Sequence, residues 1–433
     1  MATNQPLHVI VAGGGIGGLA LANGLHRAGV SVSVHEREVE RTDRLQGFRI
    51  HIDPHGSTAL AELLSPRLYS FFAACAGKGG NGFGFITDQM KQILQFDPRE
   101  QPFDPAGGGH YGISRITLRR ILLAELHDTV RFGSVFDHYE RRADGRVVAH
   151  FADGATEVGD VLVGADGGTS RVRAQYLPHA ERIDTGIVTI AGKYALTEQA
   201  RDRLPPLLLA NPLTVIPPRG CGMFLAPHEF TLPTDATNVL GGEDRPVPES
   251  LFDDTQPYVF WAFGAKRERY DTDPETLSTT DLHQLAVRMT TGWAPELRTL
   301  VNDSDPETAT AIPIKTSVPI PAWESTNVTL LGDAIHSMTP YGGIGANTAL
   351  RDARLLCRNL IAAENRKRGL LESIHTYEAE MTDYGFAAVR HSLTVAEQSV
   401  SDNPIARTAG KLAFRAARAI PALQRKMFAD ILS

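Results

Sequence analysis

The chain has 433 residues, 42% hydrophobic and 21% charged, the balance of an ordinary globular protein long enough for two domains. Its formal net charge of −7 excludes the basic footprint of a nucleic-acid binder. Three scattered cysteines, Cys75, Cys221 and Cys357, form neither a CxxC pair nor a disulfide framework, which suits a reducing, cytoplasmic setting.

Residues 7–12, Leu-His-Val-Ile-Val-Ala, have the composition of a short buried parallel strand. A glycine cluster follows, then a helical pattern from Leu19 to Ala28 stopped by Gly29, and a second alternating strand, Val30–His35. Strand, glycine turn, helix and strand within some 30 residues make the βαβ unit of a dinucleotide fold. The apolar run Val9–Leu25 contains glycines at 13, 14, 15, 17, 18 and 24 and lacks a basic segment before it, so it is not read as a signal peptide. Elsewhere no run approaches the roughly 20 apolar residues of a membrane span.

Two glycine-rich loops, Gly77–Gly84 and Gly107–Gly109, come next. A helix is predicted from Thr117 to His127, a hairpin strand over Val147–Gly154 and a buried strand at Val161–Gly164. Between about 181 and 275 the alternating segments Gly186–Ile190, Leu213–Ile216 and Tyr258–Phe263 predict an antiparallel sheet with prolines between its strands. Helical texture resumes near Asp281, Asn327–Leu331 is a last core strand, and residues after about 366 are helical. The predicted fold class is α/β. A Rossmann-like nucleotide-binding domain (1–75, 111–180 and 280–365) is interleaved with an antiparallel-sheet substrate domain (76–110 and 181–279), and C-terminal helices follow (366–433).

Three runs carry chemistry. In Gly13-Gly-Gly15-Ile-Gly-Gly18, Gly13 permits a tight turn, Gly15 lets backbone approach a pyrophosphate, and Gly18 allows close helix–strand packing. Glu36, 18 residues beyond Gly18 at the end of the second strand, can accept ribose hydroxyls and would repel a 2′-phosphate, which favours FAD or NAD. Arg37, its neighbour, is grouped with the same site. The second run, Gly164-Ala-Asp-Gly-Gly-Thr-Ser-Arg171 with Val172-Arg173, contains Asp166-Gly167, which alone would be an ordinary turn. In the third, Asp333 ends a strand, and Pro340, Gly343, Gly345 and Asn347 lead into a helix starting near Gly343. The N-terminus of that helix can face a developing anion such as the N1–C2=O edge of a reduced flavin.

In this order and spacing the three runs resemble the FAD-dependent aromatic hydroxylases, the para-hydroxybenzoate hydroxylase-like family. The resemblance implies that Gly13, Gly15, Gly18 and Glu36 hold the adenosine half of FAD and that Asp166-Gly167 serves both FAD and NADPH. It implies that Asp333 bonds the ribityl chain and that Pro340, Gly343, Gly345 and Asn347 line the isoalloxazine ring. Arg115 matches a family arginine that contacts FAD, and Arg49, after Gly47, falls where the family has a flavin-proximal arginine. Ile344 stands where many relatives have Gln, and no counterpart of the thioredoxin-like domain of larger phenol hydroxylases is expected.

The implied activity is monooxygenation. NADPH or NADH reduces FAD, O2 forms a flavin C4a-hydroperoxide, and a small organic substrate, aromatic or a secondary metabolite, is hydroxylated. Epoxidation of a terpenoid or polyketide alkene, or a non-oxygenating role as oxidase or cyclase, stays open. The halogenase WxWxIP motif and a GxSxG elbow are absent from the sequence. Phe224, Phe260, Trp261 and Phe263 are pocket candidates, although half of any such alternating set packs a core. No catalytic acid or base is identified, and oligomeric state is not readable. No metal constellation is expected: His51 and His55 flank Asp53-Pro54 without a further ligand. His336 reads as structural, and the basic stretch Lys411–Lys426 reads as a solvated face without membrane contact.

Overall fold

The structure, a computed structural model, describes residues 6–39, 49–76, 82–96, 103–229, 257–420 and Leu423. Gly47, most of the Gly77–Gly84 loop and most residues after 420 lie outside this set. Five parallel strands form the nucleotide-binding sheet in the order Val328–Leu330, Val161–Gly164, His8–Ala12, Ser31–Glu36 and Val130–Phe132. The strands His8–Ala12 and Val161–Gly164 are almost wholly apolar because both faces of the sheet are covered, in part by helices and in part by the strand Val147–Phe151, whose Val147, Ala149 and Phe151 join the same core. Val9, Ile10, Val11 and Val161–Val163 share one core with Leu19, Leu21 and Leu25 of the helix Ile16–Arg27 and Leu350, Leu356 and Leu360 of the helix Gly345–Glu364. The predicted helix from Thr117 instead runs Arg115–Leu123, directly after the strand Tyr111–Ser114.

The second sheet has seven strands. Their order is Thr310–Ser317, Arg182–Ala195, Tyr258–Lys266, Cys221–His228, Leu213–Val215, Phe83–Ile86 and Gln92–Phe96. All neighbours are antiparallel except Leu213–Val215 with Phe83–Ile86. Residues 280–317 depart from the sequence-based boundary, which assigns them to the nucleotide-binding domain. Thr310–Ser317 is an edge strand of this sheet. The helices Thr279–Met289 and Pro295–Asn302 bury Leu282, Leu285, Leu297 and Leu300 in the same cluster as Trp261 and Phe263. Helical periodicity announces an apolar stripe without saying which sheet it will cover.

Alternation decides which pocket candidates are core. Val259, Trp261, Phe263 and Ala265 point toward those helices and are fully buried. Phe260 and Phe224 point the other way, and their rings meet edge to face at 6.5 Å. Trp261 Nε1 donates to Ser304 Oγ at 2.7 Å, and Ser304 Oγ donates to the Leu300 carbonyl, so the indole is satisfied inside the core. Trp261→Phe is therefore expected to lower unfolding free energy by about 1–3 kcal/mol, through one lost hydrogen bond and a small void. Urea denaturation measures it; a variant of unchanged stability and altered turnover would return Trp261 to the pocket.

Candidate functional site: the carboxyl edge of the parallel sheet

The three sequence runs meet where three adjacent parallel strands end. Gly13 N donates to His35 O at 2.8 Å, Ala165 N to Ala12 O at 2.7 Å, and Leu331 N to Gly164 O at 3.0 Å. The chains come so close that side chains are excluded. Gly13 has φ +115°, and a Cβ there would overlap the Ala165 carbonyl; one on Gly18 would overlap the Gly13 carbonyl. Gly15 differs, for nothing lies within 4 Å of its added Cβ. It precedes the helix Ile16–Arg27, whose first turn has no side-chain cap and no acidic residue. Free N–H groups and an open approach at one point are what a pyrophosphate requires.

Glu36 is buried beside this turn and accepts from Gly14 N at 2.7 Å and from Glu38 N at 3.0 Å. Each oxygen retains capacity for a second donor. A group missing from the sequence reading completes the corner: Arg119, also buried, donates from Nε to Gly14 O at 3.1 Å and pairs with Glu38 at 3.0 Å and Glu36 at 3.6 Å. Its signal was an arginine on the buried stripe of a predicted helix. Arg37 and Arg115 are exposed, with Arg115 at the first position of its helix.

Asp166 does structural work. Its Oδ2 accepts from Arg171 N at 2.7 Å, and Gly167 turns the chain at φ +79°. Arg173 then ties this loop to the next one, donating to Ala334 O at 2.9 Å and Gly168 O at 3.1 Å. In the third loop Gly332 has φ +60°, and Asp333 stands exposed at the strand end as the first residue of the short helix Asp333–His336.

Beneath Asp333 lies a buried ionic network. Asp352 Oδ2 accepts from Gly332 N at 2.7 Å and meets His336 Nε2 at 2.6 Å, while Tyr384 donates to Asp352 Oδ1 at 2.7 Å. Burial alone would favour a neutral imidazole, but the Asp352 and Asp333 carboxylates outweigh it and hold His336 above its usual range. His336 is thus structural, as expected, and its partner Asp352 fixes the backbone that presents Asp333.

Pro340 and the glycines after it form an open turn. Gly343 N donates to Pro340 O at 3.1 Å, and Gly342 and Gly343 have φ +90° and +66° with nothing near an added Cβ. The 20-residue helix begins at Gly345 without a side-chain cap. Asn347 departs from the expected ring-lining role. Its amide donates to His51 O at 3.0 Å and accepts from Asp53 N at 3.0 Å, clamping this helix to the strand Arg49–Ile52. Arg49 crosses Gly112 toward the second sheet, 3.5 Å from Pro227 O, and burial pulls its guanidinium down to about 10.

The sheet face opposite the Pro340 turn is built in rows. Thr189, Gly264 and Gly222 lie side by side, then Ala191, Ala262 and Phe224, then Lys193, Phe260 and Ala226, then Tyr258 and His228. Tyr341 reaches across, its hydroxyl 3.4 Å from Thr189 Oγ1. At the far end His228 stacks on Tyr258 at 4.5 Å, and Lys193 Nζ lies 4.6 Å from the same ring. Burial, with Lys193 and Arg49 nearby, pushes His228 down to about 3, so it is neutral at physiological pH.

Comparison with known proteins agrees with this geometry. A family profile described as "FAD binding domain" matches residues 255–392. A solved structure from Photorhabdus luminescens subsp. laumondii, provisionally titled an FAD-containing monooxygenase, is 32% identical with a TM-score of 0.80, covering 91% of this chain and 98% of that one. The chain belongs to the FAD-dependent aromatic hydroxylase family. Among curated relatives, the FAD-dependent urate hydroxylase of Klebsiella pneumoniae is 28% identical over 87% of this chain and 86% of its own. A dual O-methyltransferase/FAD-dependent monooxygenase of Phaeosphaeria nodorum is 30% identical over 90% of this chain but only 46% of its own length. The chain thus spans less than half of the first curated relatives it matches.

The residues fit the family's FAD. Gly15 leaves the space a pyrophosphate needs, Asp333 presents a carboxylate at the strand edge, and the uncapped Gly345 helix offers N–H groups beyond it. Asp333→Ala is expected to cost most of the flavin occupancy of the purified protein; full yellow colour in the variant would remove its role. His336 makes a second prediction. Because its folded pKa lies above the unfolded value of about 6.5, its stabilisation is complete below that pH and fades as pH rises through the folded value. Asp352→Asn should cost about 3–5 kcal/mol and abolish that alkaline loss, as read from denaturation between neutral and alkaline pH; an unchanged pH profile would exclude the pair as its source.

Proposed function

We propose that this protein is an FAD-dependent monooxygenase that uses NADPH or NADH and O2 to hydroxylate a small, flat aromatic substrate. The observation that carries this reading is the convergence of Gly15, Asp333 and the uncapped Gly345 helix on one edge, facing a sheet surface of small and aromatic residues. When bound, FAD would supply hydride acceptance from NAD(P)H and activation of O2, one oxygen atom entering the substrate and the other leaving as water.

The chain's own residues have distinct tasks in this scheme. Gly13, Gly15, Gly18 and Glu36, steadied by Arg119, hold the adenosine end. Asp333 holds the ribityl chain, and Arg173 fixes the distance between the loops carrying Asp166 and Asp333. The N–H groups at the start of the Gly345 helix stabilise negative charge at the N1–C2=O edge. Arg115, exposed at the mouth, and Arg37 serve the phosphate and adenosine ends. The substrate occupies the space between the Pro340–Ile344 turn and the sheet face. There the half-buried Ala262 leaves room for a planar ring, while Phe224 and Phe260 pack against its edge. Tyr341, bridging to Thr189, closes one side of that space to water. The urate hydroxylase among the relatives supports a flat ring as the substrate class.

The test is oxygen incorporation. Purified protein with FAD, NADPH or NADH, labelled O2 and a panel of phenols, heteroaromatics and polyenes should give a product carrying one labelled oxygen, with reductant consumption accelerated by that compound. Incorporation into a polyene would move the reading to epoxidation. Peroxide as the sole product across the panel would sink it in favour of an oxidase.

A further inference from the structure

We propose a divalent-metal site, unrelated to the flavin edge, on the outer face of the three-stranded sheet made by Phe136–Arg141, Val147–Phe151 and Thr156–Gly159. Its ligands are His138, Glu140 and His150, whose ligand atoms all lie within 4.8 Å of one another. The inner face of this sheet is core, since Val147, Ala149 and Phe151 are buried. His138 and Glu140 are two residues apart on one strand and share its outer face, and His150 is the direct cross-strand partner of His138. Two ligands at i and i+2 with a third opposite make a compact triangle on a rigid surface, which leaves outward positions for water.

A bulge builds the arrangement. The register shifts between Phe136 and His138, so Phe136 packs inward opposite Phe151 while His138 stays outward opposite His150. The inserted residue, Asp137, brings its carboxylate 3.0 Å from His138 Nδ1. A carboxylate on one ring nitrogen leaves the other free for a cation and fixes the tautomer, the usual outer support of a metal-bound histidine. Arg171 holds Asp137 in turn, through Nη1 at 3.3 Å and a second bond to Phe136 O at 3.1 Å.

The second imidazole has a vacant nitrogen. His150 Nε2 is buried without a hydrogen-bond partner and lies 3.8 Å from Glu140 Oε2. Two bonds of about 2.1 Å at a tetrahedral angle separate their donor atoms by about 3.4 Å, so these atoms need to close only slightly. The rings of His138 and His150 are parallel, 4.3 Å between centroids and 4° apart. To share an ion they must tilt toward one another, a motion about the broad χ2 torsion of histidine. Two imidazoles and one carboxylate select a borderline cation, zinc first, with copper and nickel as competitors, over magnesium or calcium.

The experiment uses the untagged, flavin-loaded full chain, stripped with chelator and titrated with Zn2+ alone, with bound metal read by elemental analysis and calorimetry. One ion per chain at micromolar free zinc is expected, and Co2+ in its place should give the visible absorption of a four-coordinate site. His138→Ala and His150→Ala should each abolish binding, and Asp137→Asn should weaken it about tenfold. Circular dichroism and flavin content, unchanged in these surface variants, verify the fold. Less than stoichiometric zinc in the wild type, or full binding in the His138→Ala, His150→Ala double variant, would overturn the site.

Discussion

Everything at the ligand edge depends on how closely three backbones approach at the ends of three parallel strands. Gly13 and Ala165 touch through main-chain atoms, Gly18 packs on the Gly13 carbonyl, and an added Cβ on Gly17 would sit 2.7 Å from Leu331 Cδ1. These contacts exclude side chains from the closest approach, so the edge there offers backbone N–H, with the exposed carboxylate of Asp333 at the end of the third strand. An anionic cofactor meets donors without displacing side chains, which is the advantage of a helix start at the end of a buried strand. The same closeness means that a methyl group at Gly13 would shift the Asp166 loop as well as the pyrophosphate turn.

Holding loops this close requires polar groups in a low-dielectric interior, and the main ones draw partners from distant elements. Arg119 comes from the helix Arg115–Leu123 and fixes the Gly14 turn; Arg173 spans the Asp166 and Asp333 loops; Asp352 reaches back to Gly332. A buried ion pair is seldom a net gain over apolar packing, because desolvation offsets attraction. Its return here is positional, since Asp352 holds Gly332 in a left-handed conformation and so sets the direction of Asp333.

The legible part of this molecule is the part governed by local rules. Strand, glycine turn and helix around Gly13, the carboxylate ending the second strand, and the loops at Asp166 and Asp333 all follow from patterns within a few residues. Alternation likewise separated Trp261 from Phe260, although only the structure says which face is core. What escaped depends on partners far away in sequence. Asn347 looked like a ring-lining residue and is a clamp onto residues nearly 300 positions earlier. Arg119 sits on the buried stripe of its helix, but its partners Gly14, Glu36 and Glu38 lie far earlier in the chain. The edge strand Thr310–Ser317, with a proline at 313, has no strong signature; its eight residues gain order from pairing with Arg182–Ala195. The histidine pair at 138 and 150 becomes a pair only through a hairpin register that a bulge has shifted.

Tyr341 and Arg49 reach from the nucleotide-binding side to the second sheet. Tyr341 projects from the turn after Pro340 and rests against Thr189. Gly264 lacks a side chain where one would strike the Tyr341 hydroxyl. Arg49 spans the other side, over Gly112 and toward Pro227. Between these two struts the sheet presents Ala262, half-buried beside Phe224 and Phe260, while Ala191 and Ala226 in the neighbouring positions are covered. The surface of Ala262, Phe224 and Phe260 is apolar, and at the far end of the same sheet face lies the polar corner of His228, Tyr258 and Lys193. Because His228 stays neutral there, the positive charge at that corner belongs to Lys193 and Arg49. On the function proposed above, a substrate with an ionised or strongly polar substituent would orient that group toward the corner and leave its ring beneath the Pro340 turn. Orientation along the sheet and ring height above it are thus set by different residues, so a change at Lys193 should alter which ring position faces the flavin edge while a change at Ala262 should alter which rings enter at all.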